Sequence, residues 1–69
     1  MPTEITTIWK VAPTFAGFRI CADHAQVFWT ADSWKASLCE RARLQHAEVE
    51  ISWTPQRRGY PRLDEVRLK

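Results

Sequence analysis

Apolar and polar residues alternate along five short stretches of this chain, a pattern typical of β-strands that bury one face. The five stretches are residues 4–11, 18–22, 26–30, 47–53 and 63–68. The face of the first stretch that we expect to be buried comprises Ile5, Thr7, Trp9 and Val11. Because Trp9 in the first stretch and Trp53 in the fourth lie on apolar faces, we expect both rings in the core.

The last stretch departs from strict alternation. Val66 and Leu68 share one face and are expected to point inward, whereas Leu63 is out of phase with them. An extra residue in one strand reverses the phase of alternation, so the sequence predicts a β-bulge near Asp64 or Glu65.

Between the third and fourth stretches, the spacing between apolar residues changes from two positions to three and four, which predicts a helix over residues 32–44. Its expected apolar stripe consists of Ala31, Trp34, Leu38 and Ala42. Asp32 is placed to cap the first turn, since a carboxylate there accepts hydrogen bonds from unpaired backbone N–H groups. We therefore expect Trp34 and Leu38 to pack this helix against the sheet.

The predicted order of elements is β-β-β-α-β-β within 69 residues, which is enough chain for one domain, residues 1–69. Five short strands are too few for two packed sheets, whereas a closed barrel removes their exposed edges. By this order the chain resembles OB-fold domains, although it carries no signature motif of them. The resemblance implies a mainly β fold, a small five-stranded barrel with one helix between strands 3 and 4. An SH3-like barrel and an α+β sheet with one helix stay open as alternatives.

The resemblance also implies where a ligand would bind. In OB-type domains the second and third strands form the binding surface, together with the first and last hairpin loops, and the usual ligand is an oligonucleotide. On this chain the first loop carries Phe15, and the last loop carries Arg57, Arg58, Tyr60 and Arg62. Arginine pairs with phosphates and aromatic rings stack on bases. These residues are therefore expected to bind nucleic acid.

The second and third strands supply two further candidates, Arg19 and Phe28. Both are expected to face outward if Ile20 and Trp29 face the core. Val27, Phe28 and Trp29 are consecutive apolar residues, however, so alternation does not determine which face of the third strand is buried.

The charge of the chain limits the strength of any purely electrostatic binding. Its net charge is only +2, although residues 54–62 contain three Arg and no acidic residue. A protein that relied on charge alone to bind nucleic acid would be more basic. Stacking of aromatic rings is therefore expected to supply most of the affinity.

The remaining residues predict neither catalysis nor a bound cofactor. The two cysteines, Cys21 and Cys39, are expected to be reduced thiols, because a chain without a secretory signal is expected in the cytoplasm. With His24 and His46 they do not have the paired spacing of a structural zinc site. The chain also lacks a Gly-rich phosphate loop, an H-E-x-x-H motif and a nucleophile turn.

Two functions are consistent with these residues. The first is binding of single-stranded DNA or RNA through stacked rings and Arg–phosphate pairs. The alternative is a protein–protein interaction module, a subunit or inhibitor in a larger assembly, that uses the same aromatic and Arg surface. Neither function involves a membrane, and homo-oligomerisation stays open under both.

Overall fold

A computed structural model describes residues 3–69 of the chain. The strands are β1 (Thr3–Pro13), β2 (Phe18–Ala22), β3 (Val27–Thr30), β4 (Glu48–Thr54) and β5 (Arg62–Leu68), and the helix α1 (Ser33–Gln45) lies between β3 and β4. This order confirms the predicted fold class, a mainly β domain with one helix between the third and fourth strands.

The five strands form one closed barrel in the order β1-β2-β3-β5-β4, with β4 returning to pair with β1. All neighbouring strands are antiparallel except β3 and β5, which are parallel and pair at Trp29 and Arg62. The backbone N–H of Trp29 donates to the carbonyl oxygen of Pro61 at 2.9 Å. The barrel is thus closed by a short seam that contains Trp29.

A bulge at Trp9 overturns the expected orientation of β1 up to that residue, including that of the exposed Ile5, whereas Val11 packs against the core as expected. Ile8 pairs with Ala22 and Lys10 with the adjacent Cys21, so Trp9 is an extra residue in β1. Before the bulge the even-numbered residues face the core, and Ile8 is only 4% exposed. Trp9 is 58% exposed, and its indole N–H donates to the carbonyl oxygen of Ala22. The expectation of a buried Trp9 is therefore wrong, because one inserted residue changes which alternate positions point inward.

The bulge predicted in β5 is confirmed. Ser52 pairs with Glu65 and Trp53 with Leu63, which leaves Asp64 as the extra residue. Leu63 and Val66 are three residues apart, so in a regular strand they would lie on opposite faces. Because of the bulge, Leu63 is buried and Val66 packs against the same core. Leu68, which we expected to point inward, is 38% exposed.

The barrel interior is filled mainly by branched aliphatic side chains. The largest fully buried side chains are Ile20, Ile51, Leu63, Val49 and Cys39. Trp53 packs against this core as expected, with its ring 5.0 Å from that of Phe28. Burial raises the pKa of the Cys39 thiol to about 12, and Cys21 is also buried as a free thiol.

Helix α1 is capped as predicted, but only part of the expected stripe faces the barrel: Ala42 is buried and Leu38 is half-buried, whereas Ala31 and Trp34 are exposed. The Asp32 side chain caps it by accepting a hydrogen bond from the Trp34 N–H at 2.8 Å. Its buried residues are Ala36, Cys39 and Ala42. The expected packing of Trp34 is wrong, because this ring is 72% exposed. Small side chains permit a close approach of helix and strands, so the stripe with the smallest residues, not the one with the largest, faces the core.

Candidate nucleic-acid interface

The outer surface of β2 and β3 is defined by their register. Ile20 pairs with Phe28, and Arg19 pairs with Trp29. Directly opposite residues of an antiparallel pair project to the same face of the sheet. Ile20 and Phe28 are both buried, at 0% and 2% exposure, so Arg19 and Trp29 share the outer face. Arg19 is placed as expected.

The outward orientation expected for Phe28 is wrong, because Phe28 is part of the core. A ring with 2% exposure offers no face to a base, so Phe28 supports the site only from beneath. The residue that sequence reasoning missed is Trp29. Alternation in the sequence puts Ile20 on the apolar face of β2, but the register that pairs Ile20 with Phe28, and so turns Trp29 outward, is visible only in the structure.

Trp29 forms a groove with the loop between β4 and β5. We call this surface the Trp29 groove; its lining residues are Trp29, Gln56, Arg58, Gly59 and Tyr60. Tyr60 is 45% exposed, whereas Trp29 is only partly exposed. Two aromatic side chains that line one groove can both contact a planar ligand.

The loop between β1 and β2 also lies against Trp29. A Cβ atom at Gly17 would lie 3.0 Å from two atoms of the Trp29 ring and 2.5 Å from the Thr30 carbonyl oxygen. Any side chain at position 17 would therefore displace either the loop or the ring. Only glycine permits this close approach, so the first loop packs directly against the indole.

The same loop presents Phe15 to solvent. The Thr14 N–H donates to the Gly17 carbonyl oxygen at 2.7 Å, and the Gly17 N–H donates to the Thr14 hydroxyl at 3.1 Å. These two bonds close a tight turn with Phe15 at its tip, where the ring is fully exposed. Phe15 does not line the Trp29 groove but projects from the loop that borders it.

The arginines of the candidate site differ in whether they have partners. Within residues 3–69, Arg19, Arg57 and Arg58 make no hydrogen bond or salt bridge to another side chain. The Nε atom of Arg19 is buried and still has no hydrogen-bond partner. By contrast, Arg62 pairs with Asp64 at 3.0 Å. Arg57 and Arg58 are exposed and thus available to an anionic ligand, whereas Arg19 is half-buried and can offer only its terminal nitrogens.

Asp64 anchors the start of β5 next to the groove. The Thr54 hydroxyl donates a hydrogen bond to its carboxylate, and Arg62 lies on the other oxygen. The hydrogen bond from Thr54, assisted by Arg62, lowers the pKa of Asp64 below its ordinary value of 3.8, against the opposing effect of burial. Arg62 is therefore engaged in holding the strand, and of the predicted Arg set it is the least available to a ligand.

In the part of the chain that the structure describes, no group of three or more His, Cys, Asp or Glu side chains is placed to hold a metal ion. Nor does any helix within residues 3–69 have both the length and the apolar character needed to cross a membrane. Comparisons of the chain with protein-family models, with curated proteins and with solved structures found no match.

Proposed function

We propose that this domain is of the OB type and binds single-stranded nucleic acid in the Trp29 groove. The observation that carries the proposal is a partly exposed Trp29 on the outer face of β2 and β3, enclosed by the first and last hairpin loops. The closed five-stranded barrel, with its strand order and parallel β3–β5 seam, supports the OB assignment. OB-type barrels bind oligonucleotides on the face of strands 2 and 3, between these two loops.

Stacking supplies most of the proposed affinity. A base placed on the accessible face of Trp29 has Tyr60 beside it, and a following base reaches Phe15 at the tip of the other loop. Each stacked base contributes about 1–3 kcal/mol, whichever base it is, because every base has a π face. Unpaired bases are needed for this contact, which favours single strands over duplexes.

The arginines supply a smaller electrostatic contribution. Arg57 and Arg58 project from an exposed loop without competing carboxylates, so they pair with backbone phosphates on either side of the stacked bases. The net charge of +2 limits the number of phosphates that the domain neutralises. A shallow dependence of affinity on salt is therefore expected.

The test is a titration of fluorescently labelled single-stranded DNA and RNA at two salt concentrations. Trp29→Ala should weaken binding by about 1–3 kcal/mol with an unchanged salt slope. Trp34→Ala is the matched control: it removes the same side chain from an exposed position on α1 and should leave binding unchanged. Trp29→Phe retains a smaller ring and should lie between wild type and Trp29→Ala. Absence of salt-sensitive binding by the wild-type protein at micromolar concentration would contradict the proposal.

A protein-interaction module is the second candidate function, and one observation favours it. Trp34 is 72% exposed and forms a shallow surface with the half-buried Leu38 and Val66. Exposed tryptophans of this kind often anchor protein interfaces. A partner bound there would be lost from co-purification on Trp34→Ala and retained on Trp29→Ala, the reverse of the order expected for nucleic acid.

A further inference from the structure

Arg19 lies directly beside the proposed stacking ring. It is the cross-strand neighbour of Trp29 on the outer face of the sheet, and such neighbours have Cβ atoms about 4.5–5.5 Å apart. Its Nε is buried yet has no hydrogen-bond partner among residues 3–69. A ligand cannot reach the buried Nε–H, but the two terminal Nη groups are not buried and have no side-chain partner within residues 3–69, so they can donate to a ligand that brings acceptors.

The acceptor that fits this position is on a base and not on a phosphate. Arg57 and Arg58 lie on an exposed loop, where the outer strand backbone would run, whereas Arg19 is half-buried on the sheet itself. Because Arg19 is the cross-strand neighbour of Trp29, its terminal Nη groups can reach the edge of a base that stacks on that ring. The two Nη groups of a guanidinium form a planar pair of donors, which matches two adjacent acceptors.

We propose that the Trp29 groove selects guanine, with Arg19 donating to O6 and N7 of the base stacked on Trp29. This inference rests on the proposed function and names the base that the same site prefers. Guanine presents two neighbouring acceptors, whereas adenine presents an acceptor beside an amino donor. Its bicyclic ring also covers more of the indole than a pyrimidine does. Arg19 is thus the specificity-determining residue, and Trp29 provides affinity for any base.

The experiment compares oligonucleotides of about eight nucleotides, within the length that one OB fold covers. The probes are an all-dT strand and strands in which one central dT is replaced by dG, 7-deaza-dG, dA or dC. Because the other nucleotides are all dT, the strand can shift along the groove until the single dG stacks on Trp29. We expect the dG strand to bind about tenfold more tightly than all-dT, and the 7-deaza-dG strand, which lacks the N7 acceptor, to lose most of that gain.

Arg19→Lys is the protein variant for this test, because it retains the positive charge but not the planar pair of donors. It should no longer prefer dG, which is measured as the ratio of the variant's own affinities for the dG strand and the all-dT strand. A preference that survives in Arg19→Lys, or a dC strand that binds as tightly as the dG strand, would overturn the inference. The 7-deaza comparison uses only wild-type protein, so it decides the question even if the variant fails to fold.

The two proposals fail in different ways. If the wild type binds all-dT but gains nothing from dG, the guanine inference is wrong and single-strand binding stands. If neither strand binds, the proposed function is wrong and the guanine inference fails with it.

Discussion

Trp29 and Trp34 are both accessible from solvent, but they lie in different electrostatic surroundings. Trp29 lies beside Arg19 and Arg58, neither of which has a partner within residues 3–69. Trp34 belongs to a surface that we call the helix face; its lining residues are Trp34, Lys35, Leu38, Glu65, Val66 and Arg67. On the helix face, Lys35 lies 3.9 Å from Asp32 and Arg67 lies 4.0 Å from Glu65.

The difference shows why an exposed ring alone is a weak indicator of function. On the helix face Lys35 and Arg67 each have a carboxylate neighbour, although Arg41, which lines an adjoining pocket with Trp34, has none within residues 3–69. Beside Trp29, neither Arg19 nor Arg58 makes a salt bridge within the same residues, so no carboxylate of the domain competes with an anionic ligand for them. Three of the four predictions that follow change a residue in or beside the groove, and the fourth concerns the anchoring of β5.

The largest effect is expected from Gly17→Ala. The added methyl group would lie 2.5 Å from the Thr30 carbonyl oxygen, so the loop or Trp29 must move. Overpacking of this kind costs about 1–3 kcal/mol of unfolding free energy, and it should also reduce oligonucleotide binding. Urea denaturation and titration with labelled oligonucleotide measure the two effects.

Gly59→Ala is the control for the substitution at Gly17. Gly59 has a φ of 77° but no atom within 4 Å of an added Cβ. Its substitution should therefore cost only the backbone strain of a left-handed residue, about 1 kcal/mol. Equal destabilisation by the two substitutions would contradict the close approach of Gly17 to Trp29.

Next in size is the loss of the second ring of the groove. Tyr60→Ala should weaken binding of single strands by about 1–3 kcal/mol, whereas Tyr60→Phe, which keeps the ring, should bind nearly as the wild type does. Leu44→Ala removes an apolar side chain of 66% exposure from the helix and should have no effect on binding. Fluorescence anisotropy measures all three, and a large loss for Tyr60→Phe would show that the hydroxyl matters more than stacking.

A smaller effect separates the unpaired arginines from the paired ones. Arg58→Ala should flatten the slope of log affinity against log salt by about one unit, because one phosphate contact is lost. Arg67→Ala removes the same charge from the helix face, where Glu65 is its neighbour. It should leave the slope unchanged. If the slope of log affinity against log salt were the same for both variants, the salt dependence would follow from the net charge of the domain and not from the position of Arg58.

The smallest effect concerns pH and the anchoring of β5. Because its pKa is lowered in the folded state, Asp64 stabilises the fold fully above its unfolded value of 3.8, and this contribution is lost as the pH falls through the lower folded pKa. Asp64→Asn should make the melting temperature less dependent on pH in this acid range. If the melting temperature of Asp64→Asn fell as steeply with decreasing pH as that of the wild type, other carboxylates would account for the loss of stability.

The sequence by itself determined the number, type and order of elements. Alternation identified the strands, and β2 was predicted with the bounds it has, because Phe18, Ile20 and Ala22 repeat without interruption. The cap at Asp32 and the bulge at Asp64 were also predictable, since each depends on residues close together in the chain. The loops that carry Phe15, Arg57, Arg58 and Tyr60 followed from the same pattern.

Only the tertiary structure decided which rings face outward. The bulge at Trp9 has no local signal in an alternating strand, and it reversed the buried face of β1. The stripe of α1 that packs on the barrel depends on how closely helix and strands approach, which favoured Ala36, Cys39 and Ala42 over Trp34. In β3, three successive apolar residues fit either phase, and only pairing with β2 put Phe28 in the core and Trp29 in the groove. Side-chain orientation depends on register between strands, and register is a property of the assembled sheet.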